Sequence, residues 1–162
     1  MTSAAYQASS VIDDLYWSVG KCVWHIQYLE DLLHSYLALR IEIRERGRIS
    51  EMEARGALNK HRRATLGNAL NAAERHSVLP IKLLAELRTL KNERDWLVHR
   101  SMHNDSSKLK TKDGQIQFFD RLATLLENTD KSKAALFELT KSFCAAHGVP
   151  VAAIEAKVMA KK

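Results

Sequence analysis

Apolar residues at Leu15, Val19, Cys22, Ile26, Leu29, Leu33 and Tyr36 are spaced alternately by four and three. That period keeps one face of an α-helix turned to a core, and it predicts a long first helix from about Ser10 to Ile43. The helix is expected to give way in Arg44-Glu-Arg-Gly-Arg48, with Gly47 as the residue just past its end. Ser50 and Glu53 have the spacing of a capping box and open a second helix. Its apolar positions Met52, Leu58, Leu66, Leu70 and Ala73 continue to about His76, and its weakly apolar middle, Gly56 to His61, is where a bend or break is expected. Pro80 favours a third start, and Leu83, Leu87, Leu90 and Leu97 carry that helix to about His103, where Asn104-Asp-Ser-Ser107 ends it. From Lys108 to Phe119 an Asp-Gly pair between two short alternating stretches predicts a small hairpin or an ordered loop. A fourth helix runs from about Phe119 to Ala146 through Leu122, Leu126, Thr129, Leu136, Leu139 and Phe143.

The resulting class is all-α: a bundle of four main antiparallel helices over residues 1–147, followed by a short C-terminal helix or basic tail over 148–162. Gly148 and Pro150 mark that boundary, and VPVAAIEAKVMAKK is a candidate partner surface. A chain of 162 residues, 46% hydrophobic and 27% charged, suits one globular unit with its own core. With no secretory leader pattern at the N-terminus and no uncharged apolar run of membrane length, the expectation is a cytoplasmic protein without membrane contact. Cys22 and Cys144 both fall within helical patterns and are expected to be reduced core residues.

Charge changes this picture. The net charge is +6 and the isoelectric point about 9.4, in the range where nucleic acid becomes a candidate partner. Arg40 to Arg63 holds eight Lys or Arg against four acids, and Lys82 to Lys112 again eight against four. Within the second region Arg94 falls on the Leu83, Leu87, Leu90, Leu97 stripe, where a permanent charge needs a partner. The sequence leaves two explanations: an ion pair with an acid on another helix, Glu30 or Glu74, or a functional role. Trp96 is open in the same way, between packing against another helix and offering a face to a base.

No Gly-rich phosphate loop, Walker motif, paired-cysteine knuckle or H-E-x-x-H is present, so nucleotide cradling and the common zinc chemistries lack support. His99 and His103 lie four apart without a third ligand at matching spacing, which gives no metal site. Arg94, Asp95 and His99 remain. Asp95 and His99 are one turn apart, so the carboxylate is placed to orient the imidazole and favour its charged form. Arg94 supplies a planar charge suited to phosphate oxygens. A phosphate-binding arginine and a proton-transferring histidine are enough to cleave RNA without a metal, because the 2′-hydroxyl of the substrate is the nucleophile.

Arg94-Asp-Trp-Leu-Val-His99 resembles the R-x4-6-H motif of the HEPN superfamily, all-α domains that include many metal-independent endoribonucleases of toxin-antitoxin, abortive-infection and CRISPR systems. The residue after the arginine is usually polar in that family, most often Asn; here it is Asp95. The long first helix with IQYLEDLLHSYL and Thr65-Leu-Gly67 on the second are similar too. Arg55 and His61 also fit the spacing, but Gly56 follows that arginine. The resemblance implies a homodimer with apposed motif helices and catalysis by Arg94, Asp95 and His99; the basic residues Arg100, Lys91, Arg62 and Arg63, with His103, are then expected to guide the RNA backbone. It implies no cofactor and products ending in a 2′,3′-cyclic phosphate and a 5′-hydroxyl. A toxin or phage-defence role with an antitoxin or regulatory partner fits the family, as does a non-catalytic module that binds RNA or a protein. Ser101 stands where one toxin branch carries a modifiable tyrosine, so that branch is not supported. On an ideal helix Arg94 and His99 point about 140° apart, which a second protomer or fraying of the helix near His99 would have to close.

Overall fold

A computed structural model describes residues 3–45, 47–150 and 152, residues 3–10 by their backbone alone. Helix α1 spans Ser3–Leu37 and continues as a π-helical turn, Ala38–Ile43. Its predicted seam is the core: Cys22, Ile26, Leu29, Leu33 and Tyr36 are buried, with Leu15 and Val19 packed against them. The end of this helix differs from expectation. Arg44, not Gly47, takes the left-handed conformation directly after it, at φ 58°, and its Nε donates to the Ile41 carbonyl at 2.7 Å. That bond satisfies a carbonyl left open by the helix end and offsets the left-handed backbone at a residue with a Cβ.

The predicted second helix is two helices, α2 (Glu51–Arg62) and α3 (Leu66–Arg75). The capping box at Ser50 and Glu53 forms as expected. The break falls after the weakly apolar middle, at Arg63 to Thr65, because the Thr65 hydroxyl accepts from the Asn68 N–H at 3.3 Å and starts a fresh helix. Leu66, Ala69, Leu70 and Ala73 of α3 are buried, whereas α2 buries no residue fully.

Helix α4 spans Ile81–His99, and Arg100 leaves helical geometry at φ −126° before the short α5, Ser101–Asp105. No strand occurs among the described residues, so the hairpin or loop expected at 108–119 is corrected. Lys108–Lys110 form a 3-10 turn, and α6 begins at Lys112 and runs to Ala146. The Asp113-Gly114 pair sits in the first turn of α6 because the Thr111 hydroxyl caps it, accepting from the Gly114 N–H at 3.2 Å. An acid in a first turn favours the helix.

Glu93 pairs with Arg121 and Trp96 packs on Phe118, which sets α4 antiparallel to α6. Against α1, α6 runs parallel: Cys22 meets Leu122, His25 meets Asp130, and Arg40 stacks on Phe143. The expected all-antiparallel order therefore does not hold, since the break between α2 and α3 adds a reversal of the chain. Leu29, Leu33, Leu37, Leu70, Leu87, Leu122, Leu125 and Leu136 are fully buried among these helices. Cys22 and Cys144 are free and buried, as expected, and burial pushes both thiols up. The expected terminal helix at 148–162 lies largely outside the described residues. No described helix is long and apolar enough to cross a membrane.

The Nε2 atoms of two histidines, His34 and His61, are buried where α2 crosses α1. Neither the Nε2 of His34 nor that of His61 has a hydrogen-bond partner, and the nearest acid to His61 is Glu42, at 3.6 Å. Burial lowers both pKa values; Asp31 opposes this at His34, and Glu42 at His61. A histidine held below its unfolded value leaves the unfolded chain binding more protons. The stability it contributes is therefore complete above the unfolded pKa and is lost as pH falls through that value towards the folded one. Glu30, raised by burial, contributes in the opposite sense. The melting temperature is expected to fall between about pH 7 and pH 5, around the histidine reference value. In His34→Leu the fall should be shallower; equal slopes in the two proteins would show that His34 is not the group responsible.

Candidate nucleic-acid site at the end of α4

Arg94 turns towards α1. Its Nε lies 3.6 Å from Glu30 Oε1, and its Nη1 donates to Asp95 Oδ1 at 3.3 Å. Of the two acids considered from sequence, Glu30 is therefore the partner; Glu74 instead binds Arg88 at 2.8 Å. Burial raises the Glu30 carboxyl, and the Arg94 charge opposes that rise. The guanidinium is not sealed: its side chain is 35% exposed and both carboxylate contacts are long.

Asp95 does not orient His99. Lys91 Nζ reaches its carboxylate at 2.7 Å and, with Arg94, holds its pKa below the usual range, the Lys91 hydrogen bond being the larger cause. Lys91 and His99 are both one turn from Asp95, and a permanent ammonium outcompetes an imidazole for the same carboxylate. His99 is exposed as the last residue of α4 and makes no hydrogen bond or ion pair among the described residues. The helix stays regular through His99 and breaks one residue later, so fraying does not close the angle to Arg94.

The residues expected to guide RNA divide into two sets. Arg62 is clamped by Asp31 through two bonds of 2.6 and 3.0 Å, and Lys91 is held by Asp95. Arg63, Arg100 and His103 are exposed and have no ion pair among the described residues. The Thr65-Leu66-Gly67 stretch lies beside Lys91, because a Cβ at Gly67 would come within 3.1 Å of Lys91 Cε. A groove of about 600 Å³ between α4 and α6, lined by Glu86, Glu93, Arg121, Asn128 and Ser132 among others, contains neither Arg94 nor His99. No cluster of three metal-ligating side chains occurs among the described residues.

Sequence reasoning missed the group that fixes where α4 ends. Trp96 is buried, and its indole N–H donates to Asp105 Oδ2 at 2.8 Å, while Lys108 Nζ binds the other oxygen at 2.6 Å. The Arg121 guanidinium stacks 3.5 Å over the Trp96 ring and binds Glu93 through two bonds of 2.8 and 3.0 Å. Trp96 therefore packs, with Arg121 over one ring face and Phe118 against it, and offers no platform for a base. Asp105, held low chiefly by Lys108 and less so by Trp96, ties α5 back onto α4 and so places His99 at an abrupt helix end. Only the break at Arg100 brings Asp105 to Trp96, and the polar run from Asn104 to Ser107 signalled a turn without signalling that partner. Asp105→Ala strands the indole N–H, an expected loss of about 1–3 kcal/mol. That corresponds to a melting temperature lower by about 3–10 °C, with Asp105→Asn losing less because it keeps the acceptor. Equal melting of Asp105→Ala and wild type would contradict this role.

Compared with protein-family models, with curated proteins and with solved structures, the chain gives no match.

Proposed function

We propose that the chain is a HEPN-like endoribonuclease that needs no metal and acts on cytoplasmic RNA as a dimer. The observation that carries this reading is the placement of His99. It is a free, exposed imidazole at the abrupt end of α4, with the exposed side chains of Arg100 and His103 following it in the chain. In this reading His99 takes the proton of the 2′-hydroxyl as that oxygen attacks the adjacent phosphorus. The bond to the 5′-oxygen breaks and a proton returns to that oxygen, leaving a 2′,3′-cyclic phosphate and a 5′-hydroxyl. Arg94 leaves its long contact with Glu30 to hold the phosphoryl oxygens as charge builds on them. Asp95 positions the guanidinium of Arg94, not the ring of His99.

Within one protomer the two side chains diverge by about 140° and are separated by about 7.5 Å along the helix, too far apart for one phosphate. Apposed α4 helices of two protomers would set Arg94 of one against His99 of its partner. A toxin or phage-defence effector, restrained by an antitoxin or regulatory protein, is the setting the resemblance implies. The carboxylates around Arg94 favour a second reading, a non-catalytic module that binds RNA or a protein partner. Incubating the purified chain with RNA in EDTA and analysing the ends separates the two. Cyclic phosphate ends support the enzyme; intact RNA with salt-dependent binding supports the module and excludes the enzyme.

A further inference from the structure

One face of α1 is left uncovered by the described residues. Ile12, Tyr16, Trp24 and Tyr28 are 49%, 72%, 73% and 49% exposed, and Trp17 beside them is 66% exposed. With Gly20 they form a strict i, i+4 row, 12-16-20-24-28, which makes a single ridge along the helix. The ridge is symmetric about its centre: aromatic neighbours flank Gly20 at four residues on either side, and Ile12 and Tyr28 stand at eight. At Gly20 itself it is notched, and a Cβ there would meet nothing within 4 Å.

We infer that this ridge is an isologous contact with a second copy of the chain, crossing at Gly20. A two-fold axis through that residue pairs Tyr16 with Trp24 of the partner and Ile12 with Tyr28 of the partner, the self-complementarity that such an interface requires. The notch lets the two backbones approach where ridges would otherwise collide. The exposed parts of the four aromatic side chains alone offer about 400–650 Å² per protomer, taking about 150–250 Å² for each side chain. With Ile12 and the polar flanks this approaches the roughly 800 Å² per partner of a standard stable interface. Charge does not favour nucleic acid as the occupant: Asp13 and Asp14 are exposed on the same helix, and the lysines at the face are engaged, Lys21 over the Trp17 ring at 4.9 Å and Lys133 over the Tyr28 ring at 5.4 Å with its ammonium on Asp130. The contact uses a face other than α4: a native mass unchanged by Gly20→Glu and Trp24→Ala overturns this contact alone, whereas intact RNA in EDTA overturns the nuclease reading alone.

The test is the native mass of the full chain by sedimentation equilibrium over a dilution series. The wild type is expected at twice the 18.4 kDa chain mass or more. Gly20→Glu puts a side chain and a charge into the notch at a position where the added Cβ meets nothing within 4 Å, and Trp24→Ala removes the most exposed aromatic of the ridge. Each should raise the dissociation constant at least about tenfold, which converts to about 1.4 kcal/mol of association free energy. Thermal unfolding of Gly20→Glu at dilutions where both proteins are monomeric should lie at or slightly above the wild type, because glutamate is the better helix former. A wild type that stays at chain mass, or variants with unchanged mass, would overturn the inference. So would a monomeric wild type whose tryptophan fluorescence is quenched by single-stranded RNA, because the face would then belong to nucleic acid.

Discussion

Alanine in place of His99 is expected to lower RNA cleavage in EDTA by about 10²- to 10⁴-fold, the usual contribution of a positioned proton-transfer group. The melting temperature should not move. His99 is exposed and has no hydrogen bond or ion pair among the described residues, so its removal strands no buried partner and leaves no cavity. Surface changes of that kind stay within about 0.5 kcal/mol. Arg94→Ala is the poorer test of chemistry, because it also leaves Glu30 without its counter-charge in a setting that already raises the Glu30 carboxyl. A loss of activity there would mix catalysis with packing. Initial rates on a labelled RNA, taken together with thermal unfolding of the same preparations, make the comparison. Cleavage by His99→Ala at the wild-type rate would remove His99 from the mechanism and, with it, the basis for reading the α4 motif as catalytic.

The first helix was legible because its period is long and uninterrupted, and seven apolar positions at helical spacing leave little choice of face. The division of 50–76 into α2 and α3 was not, because it depends on whether one hydroxyl, Thr65, turns to cap the next helix or stays within the same one. At 111–114 turn chemistry and helix-start chemistry use the same residues: Thr111, Asp113 and Gly114 serve both, and tertiary contact decides. Arg94 illustrates both outcomes in one residue. Its anomaly was visible as a charge on an apolar stripe, and Glu30 was one of two partners the sequence allowed. The neighbouring question, which of two side chains one turn away takes Asp95, depends on the competition of Lys91 with His99 and is settled by side-chain chemistry, not by spacing. Trp96 was undecided for the same reason, since Asp105 and Arg121 reach it from elements whose ends the pattern did not fix.

Gly114→Ala should be damaging despite its small size, lowering stability by about 1–3 kcal/mol as over-packing usually does. Gly114 is buried in the first turn of α6, and a Cβ there would overlap the Lys108 carbonyl group. A side-chain end could swing away; this carbonyl is fixed. It accepts from the Thr111 N–H at 3.0 Å and from the Thr111 hydroxyl at 3.1 Å, and that hydroxyl in turn caps α6 through the Gly114 N–H. Moving the carbonyl therefore opens the cap as well, while the better helix propensity of alanine returns at most about 1 kcal/mol. A decrease in melting temperature of about 3–10 °C is the expected reading for a chain of this size. The strain also travels. Lys108 holds Asp105, and Asp105 holds Trp96 near the end of α4, so the variant should lose RNA cleavage at temperatures where it is still folded. Gly114→Ala with wild-type melting would show that the 108–111 turn yields freely. In that case neither the early start of α6 nor the placement of His99 depends on this close approach.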